Sequence, residues 1–460
     1  MNTRFSVRSA LLAASVAAMP VAGAADLDSI YEQALKNDPL IREADANRLA
    51  ARESRPQAIG AMLPQIAAGA RYDDSESEGS STFIDPGSPP IPFDRNVEGT
   101  NESWELTLRQ NVFRWQNWAA LRRAHAQTAQ AEADYQVAQQ DLILRVSEAY
   151  FNVLAAQDTL EAAQAAHDAI ARQLEQSEKR FEVGLIAVTD VQEAKAAFDS
   201  ATADLIQAKR NLATTGERLR ELTGESYDEL SKPGADMPLA GPNPANAEDW
   251  VRLAMEQNAR LISSRLAADI TRHDISSERG GHFPSLDLIV SKSGFESQAD
   301  ITGSSIGQGD SDSEDTSVTL QLTVPIFSGG TTSSRVRQAQ YLHLAARERL
   351  ERTARETERE ARDAFLGVNS EVARVQSLRQ AVESAMTALQ ATEAGYEVGT
   401  RTSVDVLEAR RRLFEAQTNY ARSRYDYLLN VLRLRLAAGT LDADGVTDIN
   451  ALLTENVRVR

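Results

Sequence analysis

Phe181-Glu182-Val183-Gly184-Leu185-Ile186-Ala187-Val188-Thr189-Asp190-Val191-Gln192-Glu193-Ala194 is answered about 215 residues later by Tyr396-Glu397-Val398-Gly399-Thr400-Arg401-Thr402-Ser403-Val404-Asp405-Val406-Leu407-Glu408-Ala409. Flanking segments follow suit. Leu106, Leu108 and Val112 before Phe113 are echoed by Leu320, Leu322 and Ile326 before Phe327, and Leu63-Pro64 by Phe283-Pro284. A period this long is not a solenoid repeat but a duplicated half, so every element in one half should have a partner in the other. The expected division is 25–231 and 247–438 as two structural repeats, a Pro-rich segment 232–246 between them (Pro233, Pro238, Pro242, Pro244), and a C-terminal segment 439–460 lying with it on the outside.

Working outward from the quoted turns, Asn117 to Val183 contains neither Gly nor Pro, and Thr331 to Ala394 has only Gly367. Helix formers at about 1.5 Å per residue make each run a rod on the order of 100 Å. Each rod ends at a glycine, Gly184 or Gly399, suited to a left-handed cap and a hairpin turn. A returning helix then starts at Thr189, with Gln192 three residues on, and near Thr402, with Asp405 three residues on, both in a capping-box pattern. In the returns, Val191, Phe198, Leu205, Leu212 and Leu219 recur every seven residues against Ala194, Ala201, Ala208, Thr215 and Leu222. Val406, Leu413, Tyr420, Tyr427 and Leu434 do so against Ala409, Ala416, Ser423, Asn430 and Ala437. A strict seven-residue repeat of large residues facing small ones means antiparallel coiled-coil hairpins.

Four stretches carry the other period. Trp104, Leu106, Leu108 and Val112 alternate with polar residues, as do Val318, Leu320, Leu322 and Val324, with weaker copies near Ile66 to Tyr72 and Leu286 to Val290. Each is about ten residues, the length of a tilted bilayer-crossing β-strand. Trp104, Phe113, Trp115 and Trp118 suit interfacial belts. Asp73 to Gly99 and about Gly294 to Asp315 read as polar exterior loops. Four strands cannot close a barrel, for which about eight is the minimum, so several chains must share one.

Arg4 and Arg8, an apolar run from Ala10 to Ala18, and Ala22-Gly23-Ala24 read as a signal peptide over 1–24, directing the chain out of the cytoplasm. As an uncleaved anchor the run would be too short to span a bilayer. There is no cysteine to form a disulfide or carry lipid, and net charge is −18, which argues against nucleic acid as a partner. Enzyme motifs are absent in substance. Gly303-Ser304-Ser305-Ile306-Gly307 fits G-x-S-x-G but sits in a Gly/Ser/Asp stretch without the strand and helix that the motif needs. The five histidines have no ligand spacing. The acidic run Asp310 to Asp315 lacks the glycine and final glutamate of a calcium loop and reads as solvated.

Arg172-Gln173-Leu174 through Arg180-Phe181-Glu182-Val183-Gly184-Leu185 to Thr189-Asp190-Val191 resembles the first coil hairpin of the TolC family of outer-membrane channel tunnels. Ala394-Gly395-Tyr396-Glu397-Val398-Gly399-Thr400-Arg401 resembles its second hairpin, and Val324-Pro325-Ile326-Phe327 with Gly329-Gly330 its strand-to-helix junction. The similarity spans essentially the whole mature chain. It implies a mostly α protein with a membrane β-barrel: a homotrimer whose 12-stranded barrel in the outer membrane of a Gram-negative bacterium continues into a 12-helix α-barrel through the periplasm. The family's exit ducts serve tripartite drug efflux and type I protein secretion. They dock a periplasmic adaptor and an energised inner-membrane transporter of RND or ABC type, contact outer-membrane lipid, need no cofactor and catalyse nothing. A periplasmic adaptor with a structural role is the alternative, although adaptors usually have one hairpin and lack four amphipathic strands.

The resemblance also implies entrance contacts of Gln173 with Glu393, and of Thr189 and Asp190 with Tyr396 and Arg401, which open by an iris-like movement of the hairpins. It implies an acidic constriction at Asp405 and Glu408, where multivalent cations would block, with no structural metal. Glu408 replaces the family's aspartate, and Lys179 stands where the family has an uncharged amide. Read from the residues alone, Asp405 and Glu408 are equally carboxylates of a helix's first turn complementing its dipole, and Tyr396 and Arg401 are equally packing and capping residues.

Overall fold

The computed structural model describes residues 24–83, 87, 89–234, 236–302 and 309–459. The expected signal segment, apart from Ala24, and the G-x-S-x-G run lie outside them. The chain begins with three helices, α1 (Leu27–Asn37), α2 (Pro39–Arg52) and α3 (Ser54–Gly60), then a strand pair, β1 (Gln65–Phe83) and β2 (Ile91–Phe113). A rod α4 (Trp115–Glu182) and return α5 (Val188–Thr223) follow, then a short strand β3 (Glu229–Pro233). The order recurs with α6 (Ala247–Gln257), α7 (Ala259–Arg279), a 3₁₀ turn at Gly280–His282, β4 (Ser285–Thr302), β5 (Gly309–Thr323), α8 (Thr331–Glu397) and α9 (Ser403–Ala438). The chain closes with α10 (Ala443–Asn450) and β6 (Leu453–Arg458). The rods have 68 and 67 residues and the returns 36 each. No described helix is long and apolar enough to cross a membrane.

The four long strands form one antiparallel sheet in the order β1-β2-β4-β5, with β1 and β5 as edges. Its register sets Ile66 beside Leu108, Leu108 beside Val290 and Val290 beside Val318, so the alternating apolar residues form one continuous face. Ile66, Leu106, Val318, Leu320 and Leu322 on that face are exposed. The opposite face carries Glu105, Thr107, Ser291 and Ser317, and the last two share a hydrogen bond at 2.8 Å. Trp104 lies across Gly294 on β4, where any β-carbon would collide with the indole. Lys292 extends over the same ring, 5.7 Å from its centroid, and pairs with Glu314 at 3.2 Å, so a cation on the apolar face reaches the polar end of the sheet.

Three sequence expectations change here. The strands are 15 to 23 residues long rather than about ten, because most of the expected polar loops, including the acidic run at Asp310, continues the ladder. Ser, Thr, Asp and Glu on both faces remove the apolar alternation without removing the backbone pairing. Two strands were not foreseen: β3, which straddles the expected boundary between 231 and 232, pairs with β6 as a small sheet. Trp115 is not at an exposed belt. Its indole N–H donates to the Ser276 carbonyl at 3.1 Å and its ring meets Phe283 edge-on at 5.5 Å, locking the β2-to-α4 junction to the α7-to-β4 junction.

The principal core lies midway along the rods, where α1, β3, β6 and α10 wrap α4 and α9. Leu27, Ile30, Phe151, Leu154, Leu230, Leu428, Leu432 and Ile449 are buried there. Phe151 stacks on Tyr425 at 5.8 Å, the Tyr425 hydroxyl donates to Asp158 at 2.6 Å, and the Tyr150 hydroxyl donates to the Ser231 carbonyl. Burial raises the Tyr150 and Tyr425 hydroxyls well above the ordinary range, so both remain donors, and it also raises the Asp158 carboxyl. Toward the turns the core narrows to the heptad seam: Ala194, Ala201, Leu205, Ala208, Leu212, Thr215 and Leu219 of α5 are buried as expected, with Val191 and Phe198 half-buried. In α9, Val406, Ser423, Tyr427 and Leu434 follow the heptad, but Tyr425, Leu428, Leu429 and Leu432 are buried as well, because the wrapping elements cover the helix's other sides.

Candidate entrance gate at the hairpin turns

Both rods end as their glycines dictate. Gly184 and Gly399 have φ of 76° and 78°, in the left-handed region that favours glycine. The chain folds back so that Gly184 and Leu185 donate to the Phe181 and Arg180 carbonyls, and Gly399 and Thr400 to those of Tyr396 and Gly395, at 2.8 to 3.1 Å. Four otherwise orphaned helix-end carbonyls are thereby satisfied.

The returns start differently. In α9 the expected box forms in full: the Thr402 hydroxyl accepts from the Asp405 N–H at 3.2 Å, and the Asp405 carboxylate accepts from the Thr402 N–H at 2.9 Å. In α5 the Thr189–Gln192 box does not form. The helix begins one residue earlier, at Val188, so the cap position falls on Ala187, which has no side-chain acceptor, and Asp190 accepts from the Ala187 N–H at 3.2 Å. A carboxylate at the third helical position complements the positive helix end better than the neutral Gln192 amide could.

The acidic positions are held within their own helix. Hydrogen bonds from Thr402, its N–H first and its hydroxyl second, lower the Asp405 carboxyl below its usual range, helped by the Arg401 charge. Glu408 is lowered first by its hydrogen bond from Arg411 and then by Arg412. Glu393 on α8 accepts from Arg410 on α9 at 2.5 Å, tying the second hairpin's two limbs together. Lys179 pairs with Glu175 one turn away at 2.5 Å.

Tyr396 is where the hairpins meet. The Arg180 guanidinium, from α4, lies 5.0 Å from its ring centroid. Arg401 folds over Gly395, where a β-carbon would sit 2.7 Å from the Arg401 Cγ. Thr189 is exposed on the first turn of α5. Within the chain and among the described residues, no hydrogen bond joins Gln173 to Glu393, or Thr189 or Asp190 to Tyr396 or Arg401. Instead the Gln173 Nε2, the Ser177 and Ser403 hydroxyls, the Tyr396 hydroxyl and the Arg410 Nε are buried without a partner. Such groups are costly to leave unmet. Above them, a cavity of about 230 Å³ lined by Ala163, Ile170, Ala201, Leu407 and Phe414 separates α9 from the first hairpin. Sequence reasoning missed Arg180 and the run Arg410-Arg411-Arg412; the latter's spacing of three and four from Glu408 was the available signal.

Residues 30–225 and 250–440 match the outer membrane efflux protein family. The chain is 39% identical over 428 residues to outer membrane protein TolC of Vibrio cholerae, covering 93% of this chain and 94% of that protein. It is 36% identical over 439 residues to TolC of Escherichia coli, covering 94% and 86%. With the alkaline protease secretion protein AprF of Pseudomonas aeruginosa it shares 30% over 414 residues, covering 90% and 84%. Among solved structures, the CmeC outer membrane channel of Campylobacter jejuni superposes with a TM-score of 0.71 over 98% of both chains at 17% identity. VceC of Vibrio cholerae does so with a TM-score of 0.69 over 90% of this chain and 96% of that one, at 21%. At these identities the structural likeness speaks to the fold.

Proposed function

The chain belongs to the outer membrane efflux protein family, and from that premise we propose how it works as the exit duct of efflux and type I secretion in the Gram-negative outer membrane. The observation that carries the reading is an open four-stranded sheet with one continuous apolar face, set on rods of 68 and 67 residues. Such a sheet can neither close nor stay soluble alone. Three copies supply twelve strands and close a lipid-facing barrel, and the rods and returns of the same copies make a 12-helix tunnel through the periplasm. The two hairpin-bearing segments, 25–231 and 247–438, act as repeats of one half, joined by 232–246 and belted by 439–460. An adaptor and an RND- or ABC-type transporter dock at the periplasmic end, consistent with relatives named for outer-membrane efflux and for protease secretion. The adaptor alternative has no support from those relatives.

In this reading the turns form the closed entrance. Contacts of Gln173 with Glu393, and of Thr189 and Asp190 with Tyr396 and Arg401, hold the entrance closed between hairpins and copies, and opening spreads the hairpins around Gly184 and Gly399. Asp405 and Glu408 face the lumen there and attract cations, with multivalent ones as blockers. Membrane fractionation with chemical crosslinking tests the assembly. The protein should sediment with outer membranes, require detergent and crosslink to a trimer; recovery as a soluble periplasmic monomer overturns the reading.

A further inference from the structure

The proposed constriction has more than carboxylates at its level. Asp405, Glu408 and Arg412 follow one another at spacings of three and four along α9 and so share a helical face, with Arg411 beside it. One Glu408 oxygen accepts from the Arg411 Nη2 at 2.9 Å and the Arg412 Nε at 3.1 Å, and the other accepts from the Arg411 Nε at 3.0 Å. Arg411 also donates to Glu415, one turn on, at 3.0 Å. Asp405 differs in kind: its hydrogen-bond partners are the uncharged Thr402 groups, and Arg401 acts on it through space without an ion pair.

We propose that Arg411 and Arg412 are selectivity-determining residues: they clamp Glu408, so that each chain presents one unpaired carboxylate, Asp405, to the constriction instead of two. Exposed ion pairs of this kind contribute little to stability. Their consequence is for the field, because Asp405 and Glu408 sum to −2 per chain, whereas adding Arg411 and Arg412 brings the sum to 0, adding Glu415 to −1, and counting the nearby Arg401 to 0 again. That compensation lies well inside a Debye length of about 8 Å, so salt does not erase it, and it persists even while individual hydrogen bonds exchange. A multivalent cation at Glu408 must displace two guanidinium groups, whereas at Asp405 it need displace none. The entrance therefore passes cations while holding multivalent ones weakly.

The proposal rests on the reading that Asp405 and Glu408 face the lumen. Single-channel recordings of the intact assembly in planar bilayers, with lanthanum(III) as the probe, test both and separate them. Arg411→Gln with Arg412→Gln should tighten lanthanum block by about tenfold and raise the potassium-over-chloride permeability ratio. Adding Glu408→Gln to that pair should return block to the level of the unmodified protein. Replacing both arginines by lysine keeps the charge and should leave block within about twofold. Unchanged block in the glutamine pair overturns the clamp, and Asp405→Asn distinguishes the reason. If Asp405→Asn weakens cation preference, the lumen reading stands and the clamp alone fails; if it has no effect, the lumen reading fails and takes the clamp with it.

Discussion

The rods α4 and α8 match in length to within one residue, yet they bury different things. Sixteen residues of α4 are buried, among them Leu142, Tyr150, Phe151 and Leu154, whereas α8 buries six, with Val368 and Val375 the largest aliphatics. In place of a core, α8 carries ladders of exposed ion pairs: Arg355 with Glu351, Arg359 with Asp363, and Arg362 with Glu358. The returns differ in the opposite sense. The second has the complete Thr402–Asp405 cap and the Glu393–Arg410 brace, whereas the first starts at an alanine with one long carboxylate contact. The first hairpin is thus anchored at the middle of the molecule and loosely finished at its tip. The second is anchored at the middle through α9 while its α8 limb is lightly packed, and it is tightly finished. A hairpin that moves as a unit needs the second combination, an intact tip on a lightly packed limb.

The sharpest way to break this contrast is to cut the two rods alike. Leu154→Ala in α4 removes a fully buried side chain and should cost about 3 kcal/mol, measured by denaturant unfolding in detergent. Leu366→Ala in α8, at a position 59% exposed, should stay within about 0.5 kcal/mol in the same measurement. A comparable loss at Leu366 would mean that the open face of α8 is packed against another copy as firmly as α4 is packed within its own.

The meeting of the hairpins at Tyr396 comes next. Tyr396→Phe with Arg401→Ser removes the polar links proposed between hairpins and copies and leaves both heptad seams whole, so single-channel conductance should rise about threefold or more. Unchanged conductance in a folded double variant would place closure elsewhere, with the Arg180 contact to the Tyr396 ring the first candidate.

Exchanging caps should have smaller effects. Thr402→Ala should weaken the start of α9 by about 1 kcal/mol, and Ala187→Ser should strengthen the start of α5 by up to about the same amount. Hydrogen exchange of first-turn amides reads both, and equal protection of the two starts in the unmodified protein would erase the distinction between the tips. The last test is pH. The folded Asp405 carboxyl lies below its ordinary value, so its contribution is fully present above about pH 4 and is lost as pH falls through the lowered value. Protection of the α9 start should decline in that acidic window and not between pH 5 and 7. Decline in the higher interval would mean that Asp405 is not the carboxylate that caps the helix.

Much of this organisation is legible in the chain. Proline-free runs nearly empty of glycine and ending at Gly184 and Gly399 admit only long helices with a left-handed turn, and the small-against-large heptads of α5 and α9 specify how the returns pack. Those signals are local, set by backbone freedom and by a period that one helix face must honour. The ladder beyond the apolar band was not legible, because strand pairing through Asp310 or Glu76 is a property of the partner strand's backbone and leaves no alternation of hydrophobicity. The cap of α5 was misplaced by two residues because Thr189–Gln192 and Ala187–Asp190 are both possible frames, and competition between acceptors chose the charged one.

By itself the sequence determined the rods, the turns, the apolar face of the sheet and the resemblance that identifies the family, since each is written in consecutive residues or a fixed spacing. Only the tertiary structure decided that β3 meets β6, that Tyr425, Leu428 and Leu432 are buried on the sides of α9 away from its heptad, and that Arg180 reaches Tyr396 from another hairpin. These contacts join residues far apart in the chain, and no local period records a partner that arrives from elsewhere. The same holds for Glu408. Its charge is evident from the sequence, but which of three consecutive arginines hold it and which turns away to Glu393 depends on how α9 is rotated against α8.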